Sequence, residues 1–167
     1  EHSQIIHLDD FAKFAKFSIV PSIQATHCTS DMPWAENRVG EERIKGAYSY
    51  QTLLNQLGWI PNGTDFPVEN IEPLFTFYSS VFRTDHKGWP EGGWRTSEGL
   101  SREQTLRSMT IWAAKSSFEE NEKGSLENGM WADFVVLDTD LMTASPQEVL
   151  NAKILSTWIA GEKVFEL

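Results

Sequence analysis

The chain has 167 residues, 40% of them hydrophobic, with 14 basic against 24 acidic side chains and a formal charge of −10 at pH 7. That length buries one sizeable core, or one core with an appendage, and that charge argues against nucleic acid and against an anionic membrane surface as partners. No apolar run approaches the roughly 20 residues that span a bilayer, no basic-then-apolar leader opens the chain, and the single cysteine, Cys28, excludes an internal disulfide, so the cytoplasm is the expected compartment.

Leu8 to Phe17 reads as a helix, with Leu8, Phe11, Ala12 and Ala15 on one face and Asp9 or Asp10 as N-cap. Phe17 to Ile23 is rich in β-formers and reads as a strand, interrupted by Pro21. It runs into the polar loop Gln24 to Asp31, where His27 can be an ordinary loop histidine satisfied by its neighbours. Met32 to Arg43 is irregular, and Tyr48 to Leu57 is a helix closed by Gly58 at the left-handed C-terminal position. Trp59 to Ile60 reads as a short buried strand that stops at Asn62-Gly63-Thr64-Asp65. A carboxylate at the C-terminal tip of a parallel strand is where α/β folds build active sites. The same residues equally make an Asx turn, with Asp65 bonding the backbone two residues on. Strand, helix, strand, helix, strand in close succession is the signature of a parallel sheet.

Pro73 to Arg83 is an apolar helix. Thr84 to Gly99 has no periodicity and is a long loop holding Trp89 and Trp94. Loops of this length serve as lids or binding loops, and an ordered surface loop pinned by its tryptophans accounts for them as well. Ser101 to Gln104 is a capping box opening a helix to about Glu120, with Leu106, Met109, Trp112, Ala113 and Ser116 as its buried face. Ala132 to Asp138 is a strand, and Ser145-Pro146-Gln147-Glu148 is a second capping box with proline at the first helical position. Ile154 to Ala160 and Lys163 to Glu166 are strands joined through Gly161-Glu162, read as a type II′ hairpin. The tail is thus a small antiparallel unit. No phosphate loop, paired-cysteine zinc site or nucleophile elbow is present, and the four histidines stand at no diagnostic spacing.

A series of motifs takes the reading further. Glu1-His2-Ser3-Gln4 resembles Glu-His-Ala-Gln, and Gln24-Ala25-Thr26-His27 resembles Gln-Pro-x-His, followed by Ser30-Asp31 and by Trp34-Ala35-Glu36-x-Arg38-x-Gly40. Gly63-Thr64-Asp65-Phe66-Pro67-Val68-Glu69 resembles Gly-Ser-Asp-x-Pro-Val-Glu. Gly88-Trp89-Pro90-x-Gly92-Gly93-Trp94, Gly124-Ser125-Leu126-Glu127-x-Gly129 and Ala132 to Asp138 follow in order. Together they resemble the C-terminal part of an amidohydrolase superfamily enzyme, of amidohydrolase family 3, the YtcJ-like metal-dependent hydrolases. Each motif alone is weak; their order and spacing are specific to the family and not to a substrate.

The resemblance implies an α/β fold. Residues 1–122 would be about the last three β/α units of a TIM (β/α)8 barrel, and residues 123–167 the C-terminal strands of a composite β-sandwich. It implies a divalent metal in the full-length parent, zinc being the expected one, with His2 and Asp65 as ligands and Asp65 as general base, and a site absent or incomplete in this chain alone. His27, Trp89 and Trp94 would line the substrate site, and the substrate would be a small amide, cyclic amide or N-formyl compound. The family's His-x-His and two further ligands have no counterpart here, and the chain opens without an initiator Met. It is therefore expected to be a piece of a longer protein and inactive alone, since two ligands rarely hold a catalytic zinc that takes three or more. Open sheet edges would then favour a homo-oligomer. The alternative is a degenerate, non-catalytic relative with a regulatory or binding role.

Overall fold

Where apolar spacing and a local cap coincide, the chain forms the expected helix. The computed structural model describes residues 1–167. Its elements are α1 (Phe11–Phe17), α2 (Ala25–Asp31), α3 (Ala35–Ile44), α4 (Tyr50–Leu57), α5 (Pro73–Phe82), α6 (Arg102–Met109), α7 (Ile111–Ser116), β1 (Phe134–Leu137), α8 (Pro146–Asn151), β2 (Ile154–Ile159) and β3 (Glu162–Glu166). Gly58 closes α4 with φ 83°. Both capping boxes are complete, Ser101 with Gln104 and Ser145 with Glu148. Asp9 and Asp10 do not cap. The His7 ring accepts the Asp9 amide at the head of a single 3₁₀ turn, Leu8–Asp10. Asp10 instead pairs with Lys13 one turn on, which lowers its pKa.

The expected parallel strands shrink to one bridge, Ile23 with Asn62. Ile23 donates to the Pro61 carbonyl (2.9 Å) and accepts from Gly63 (3.0 Å). Pro21 and Pro61 offer no N–H to lengthen the ladder. On its other side Asn62 donates to the Ser108 carbonyl (3.0 Å), so the end of α6 stands where a neighbouring strand would. Ser18, in the left-handed region (φ 53°), turns the chain out of α1.

Two segments read as irregular are helical. Gln24 to Asp31 becomes α2, and much of Met32 to Arg43 becomes α3, kinked where Gly40 takes φ 81°. The helix after Ser101 breaks at Thr110 into α6 and α7; of its expected buried face Met109 and Trp112 pack, partly buried, against the two cores, but its most deeply buried positions are polar. Thr105 and Ser108 are fully buried, while Leu106 is 44% exposed. Leu106, Met109 and Ala113 instead face an open groove of about 870 Å³ shared with β1.

The main core joins Phe11, Phe14, Ile23, Tyr50, Leu53 and Ile60 under α1, α2 and α4. A smaller core of Phe77, Tyr78, Ala144 and Val149 seats α8 on α5. β1, β2 and β3 form an antiparallel meander in that order. Its second turn is Ala160-Gly161, not Gly161-Glu162. Both residues have positive φ (51° and 80°), the I′ arrangement, and Ile159 pairs directly with Glu162.

Candidate metal centre

Three segments distant in sequence meet at one corner. The first is the N-terminal stretch. Ile5 bridges Ala47, Tyr48 donates to the Gln4 carbonyl (2.7 Å), and Ile6 donates to that of Gly46 (3.0 Å). A Cβ on residue 46 would stand 1.9 Å from the Ile6 carbonyl oxygen, so only glycine lets these backbones approach. The Gln4 side chain reaches Asp31, which also accepts the Tyr48 hydroxyl. Burial first, and then the Asp31 carboxylate, push the Tyr48 phenol far above its ordinary range and keep it a donor. His2 sits at φ 69° with Nδ1 2.8 Å from Gln24 Oε1, and Gln24 Nε2 in turn donates to Glu1.

The second segment is the first turn of α2. Ala25 donates to Asn62 Oδ1 (3.2 Å), and Asn62 Nδ2 donates to Ser80 (2.9 Å). With its bond to Ser108, buried Asn62 ties α2, α5 and α6 together. Thr29 shares a hydrogen bond with Ser79 of α5 at 3.0 Å. His27, its side chain 9% exposed, is thereby held in place.

The third is the exit from Asn62. Asp65 adopts φ 57°, a region that Asp tolerates better than most residues. Thr64 Oγ1 accepts the Phe66 amide (3.3 Å). The Asp65 carbonyl accepts from Val68 (2.8 Å) and Glu69 (3.3 Å), a tight turn that places the two carboxylates on one side. They grip the His27 ring from both ends: Nε2 lies 3.0 Å from Asp65 Oδ2, and Nδ1 lies 2.8 Å from Glu69 Oε1. His2 Nδ1 lies 3.8 Å from the same Asp65 oxygen.

The structure therefore brings His2, His27 and Asp65 together, with ligand atoms all within 4.8 Å of one another. Donors bound to one ion at about 2.1 Å stand roughly 3 to 4 Å apart, so the set suits a divalent cation. With Nδ1–H given to Glu69, a neutral His27 turns its Nε2 lone pair on an Asp65 oxygen. Two acceptors 3.0 Å apart need a proton or a cation between them. His27 also has a second partner, Glu69, holding its ring through the other nitrogen, as metal-ligating histidines do.

Trp89 and Trp94 are placed differently. Trp89 is 52% exposed, and its amide is held by Asp85 Oδ1 at 2.9 Å. Trp94 packs on the Tyr48 ring (5.5 Å) and beside the guanidinium groups of Arg83 (5.8 Å) and Arg95 (6.0 Å). Neither indole makes an aromatic, cation–π or hydrogen-bond contact with His2, His27 or Asp65. Sequence reasoning missed Gln24, Ser30, Asn62 and Glu69.

A family model described as the amidohydrolase family matches residues 1–165. "Protein LONG AFTER FAR-RED 3" of Arabidopsis thaliana is 33% identical over 166 residues, 99% of this chain and 28% of its own length. "Putative amidohydrolase YtcJ" of Bacillus subtilis is 28% identical over 165 residues, 99% of this chain and 31% of its own. Among solved structures, an uncharacterized metal-dependent hydrolase from Pyrococcus horikoshii OT3 superposes with a TM-score of 0.76 at 27% identity. That match covers 87% of this chain and 29% of the hydrolase. The chain thus spans about a third or less of the length of these relatives.

Proposed function

The chain belongs to the amidohydrolase family, and from that premise we propose that it supplies part of a metal-dependent active site that hydrolyses C–N bonds of amides, cyclic amides or N-formyl compounds. One observation carries the reading: His2, His27 and Asp65 converge from three separate segments onto a single cation-sized position. His2 and Asp65 are the ligands that the motifs imply, and His27 Nε2 offers a third donor. When bound, a divalent cation, zinc being our choice, supplies Lewis-acid activation of water and of the amide carbonyl.

The protein's own groups do the remainder. The Asp65 carboxylate accepts the proton of the attacking water and returns it to the leaving nitrogen, so the amine departs neutral. His27, held between Asp65 and Glu69, keeps that carboxylate oriented toward the reacting atoms. Gln24 holds the His2 ring. The excess of acidic side chains favours a cation at the corner.

We assign residues 1–122 to the catalytic barrel and 123–167 to a composite β-sandwich, and propose that the isolated chain binds a cation without turning over amides. Apolar side chains left facing water, Phe17 and Phe118 among them, support self-association. No helix is long and apolar enough to cross a membrane. Buried, unpaired Cys28 supports a reducing compartment, for which the cytoplasm is our choice.

The test is an amidase assay on a polypeptide of the relatives' length that carries these residues, beside the 167-residue chain. Chelator-sensitive release of amine from the longer protein, and none from the chain, is the expected result. Chelator-insensitive turnover, or a longer protein that neither binds metal nor cleaves any amide, overturns the proposal and favours a non-catalytic role.

A further inference from the structure

Glu69 is a carboxylate four residues beyond Asp65, and the motif resemblance gives it no task. Its side chain is 19% exposed. One oxygen, Oε1, accepts both the His27 Nδ1 hydrogen (2.8 Å) and the Ser30 hydroxyl hydrogen (2.6 Å). His27 and Ser30 lie three residues apart on α2, so one helical turn presents both donors to one acceptor. Ser30 Oγ also lies 3.3 Å from the His27 carbonyl, but it has one hydrogen, and the shorter, charge-assisted bond to Glu69 takes it.

We propose that Glu69, clamped by Ser30, is the positioning residue that fixes His27 as its Nδ1–H tautomer and turns Nε2 toward Asp65. A carboxylate only accepts hydrogen bonds, so the hydrogen between His27 and Glu69 belongs to Nδ1. When the ring is neutral, Nε2 then carries the lone pair and faces the cation position. Without Glu69, the ring is free to flip or to move its hydrogen to Nε2, and the third donor is lost. Ser30 makes the orientation rigid, because it holds the oxygen that His27 uses. Asp65 and Glu69 thus divide the work on one imidazole: Asp65 shares the reacting side, and Glu69 sets which nitrogen faces it. The inference rests on the proposed cation site for its purpose, but not for its first test.

That test is nitrogen-15 NMR of the histidine rings in the metal-free chain. The expected wild-type result is a hydrogen on His27 Nδ1, with Nε2 sharing a second hydrogen with Asp65 while no cation is bound. Glu69→Ala abolishes that pattern, while Glu69→Gln, which keeps an acceptor at the same reach, retains most of it. In parallel, zinc affinity measured by competition with a chromophoric chelator falls about 10- to 100-fold in Glu69→Ala, as loss of a ligand's second partner does elsewhere. It falls a few-fold in Ser30→Ala, whose exposed position makes it the safer variant should Glu69→Ala fold poorly. A His27 ring without a hydrogen on Nδ1 in the wild type, or one unchanged in Glu69→Ala, overturns the inference. If the tautomer depends on Glu69 but no variant or wild type binds zinc, the positioning role stands and the cation site falls.

Discussion

At the corner of His2, His27 and Asp65 the side chains hold one another, whereas in the meander of β1 to β3 backbone bonds to backbone and most side chains face water. Gln24, Ser30, Asn62 and Glu69 each bond a partner far away in sequence. β3 is exposed along its whole length, and Val135 of β1 is 52% exposed. The meander's few side-chain contacts include the Phe134–Trp158 stack at 5.5 Å. The difference is one of tolerance. Side-chain networks fail when one member is removed, because the remaining polar groups lose partners in a place where water cannot replace them. Backbone ladders survive most substitutions.

The comparison breaks most sharply at Asp65. On the proposed roles, Asp65→Asn removes the general base and weakens a ligand, so turnover by a polypeptide of the relatives' length that carries these residues should drop by about 10²- to 10⁴-fold. Its denaturant midpoint should barely move, since Asp65 is partly exposed. Initial rates and a urea melt measure the two effects.

Asn62→Ala comes next. It leaves the Ala25 amide unsatisfied, at a cost of about 1 to 3 kcal/mol, while Ser80 keeps its bond to the Thr76 carbonyl. Urea unfolding reads the loss, and cation affinity should fall with it, because α2 carries His27.

Cys28 gives a smaller and pH-dependent effect. Burial pushes its thiol up to about 11 from an ordinary 9.0. Between those values the unfolded chain releases a proton that the folded chain keeps, so stability is intact below pH 9 and declines as pH rises toward 11. Cys28→Ala should flatten the decline, as seen in melts across that range.

The smallest effect belongs to the meander. Phe165→Thr should change stability by no more than about 0.5 kcal/mol. A larger loss, growing with protein concentration, would show that this face is covered by another copy.

Local signals were legible and non-local ones were not. Gly58, Ser101 and Ser145 declare helix ends through geometry that spans a few residues, and each does in the structure what its type implies. Phe17 to Ile23 has strand composition, but parallel pairing depends on a distant partner, and Pro21 and Pro61 limit it to one bridge. α2 was hidden because its Ala-Thr-His-Cys-Thr-Ser run has no helical apolar period, and its stability comes from Asn62 and Ser79 instead. The Ala160-Gly161 turn was misread because Ala seldom takes positive φ, whereas Gly161 offered an easier place for it. His2 was visible only through motif resemblance, while Asp65 was first raised by its place at the end of a short apolar run, where an Asx turn weighed equally. Nothing in their spacing would have joined residues 63 apart in the chain.

The most direct measurement is zinc binding by the 167-residue chain and its Asp65→Asn variant, by competition titration with circular dichroism as the folding control. The account predicts one saturable site per chain, lost or weakened at least tenfold in Asp65→Asn with the fold unchanged. Equal zinc affinity in the two proteins, or no saturable site in the folded wild type, would contradict it.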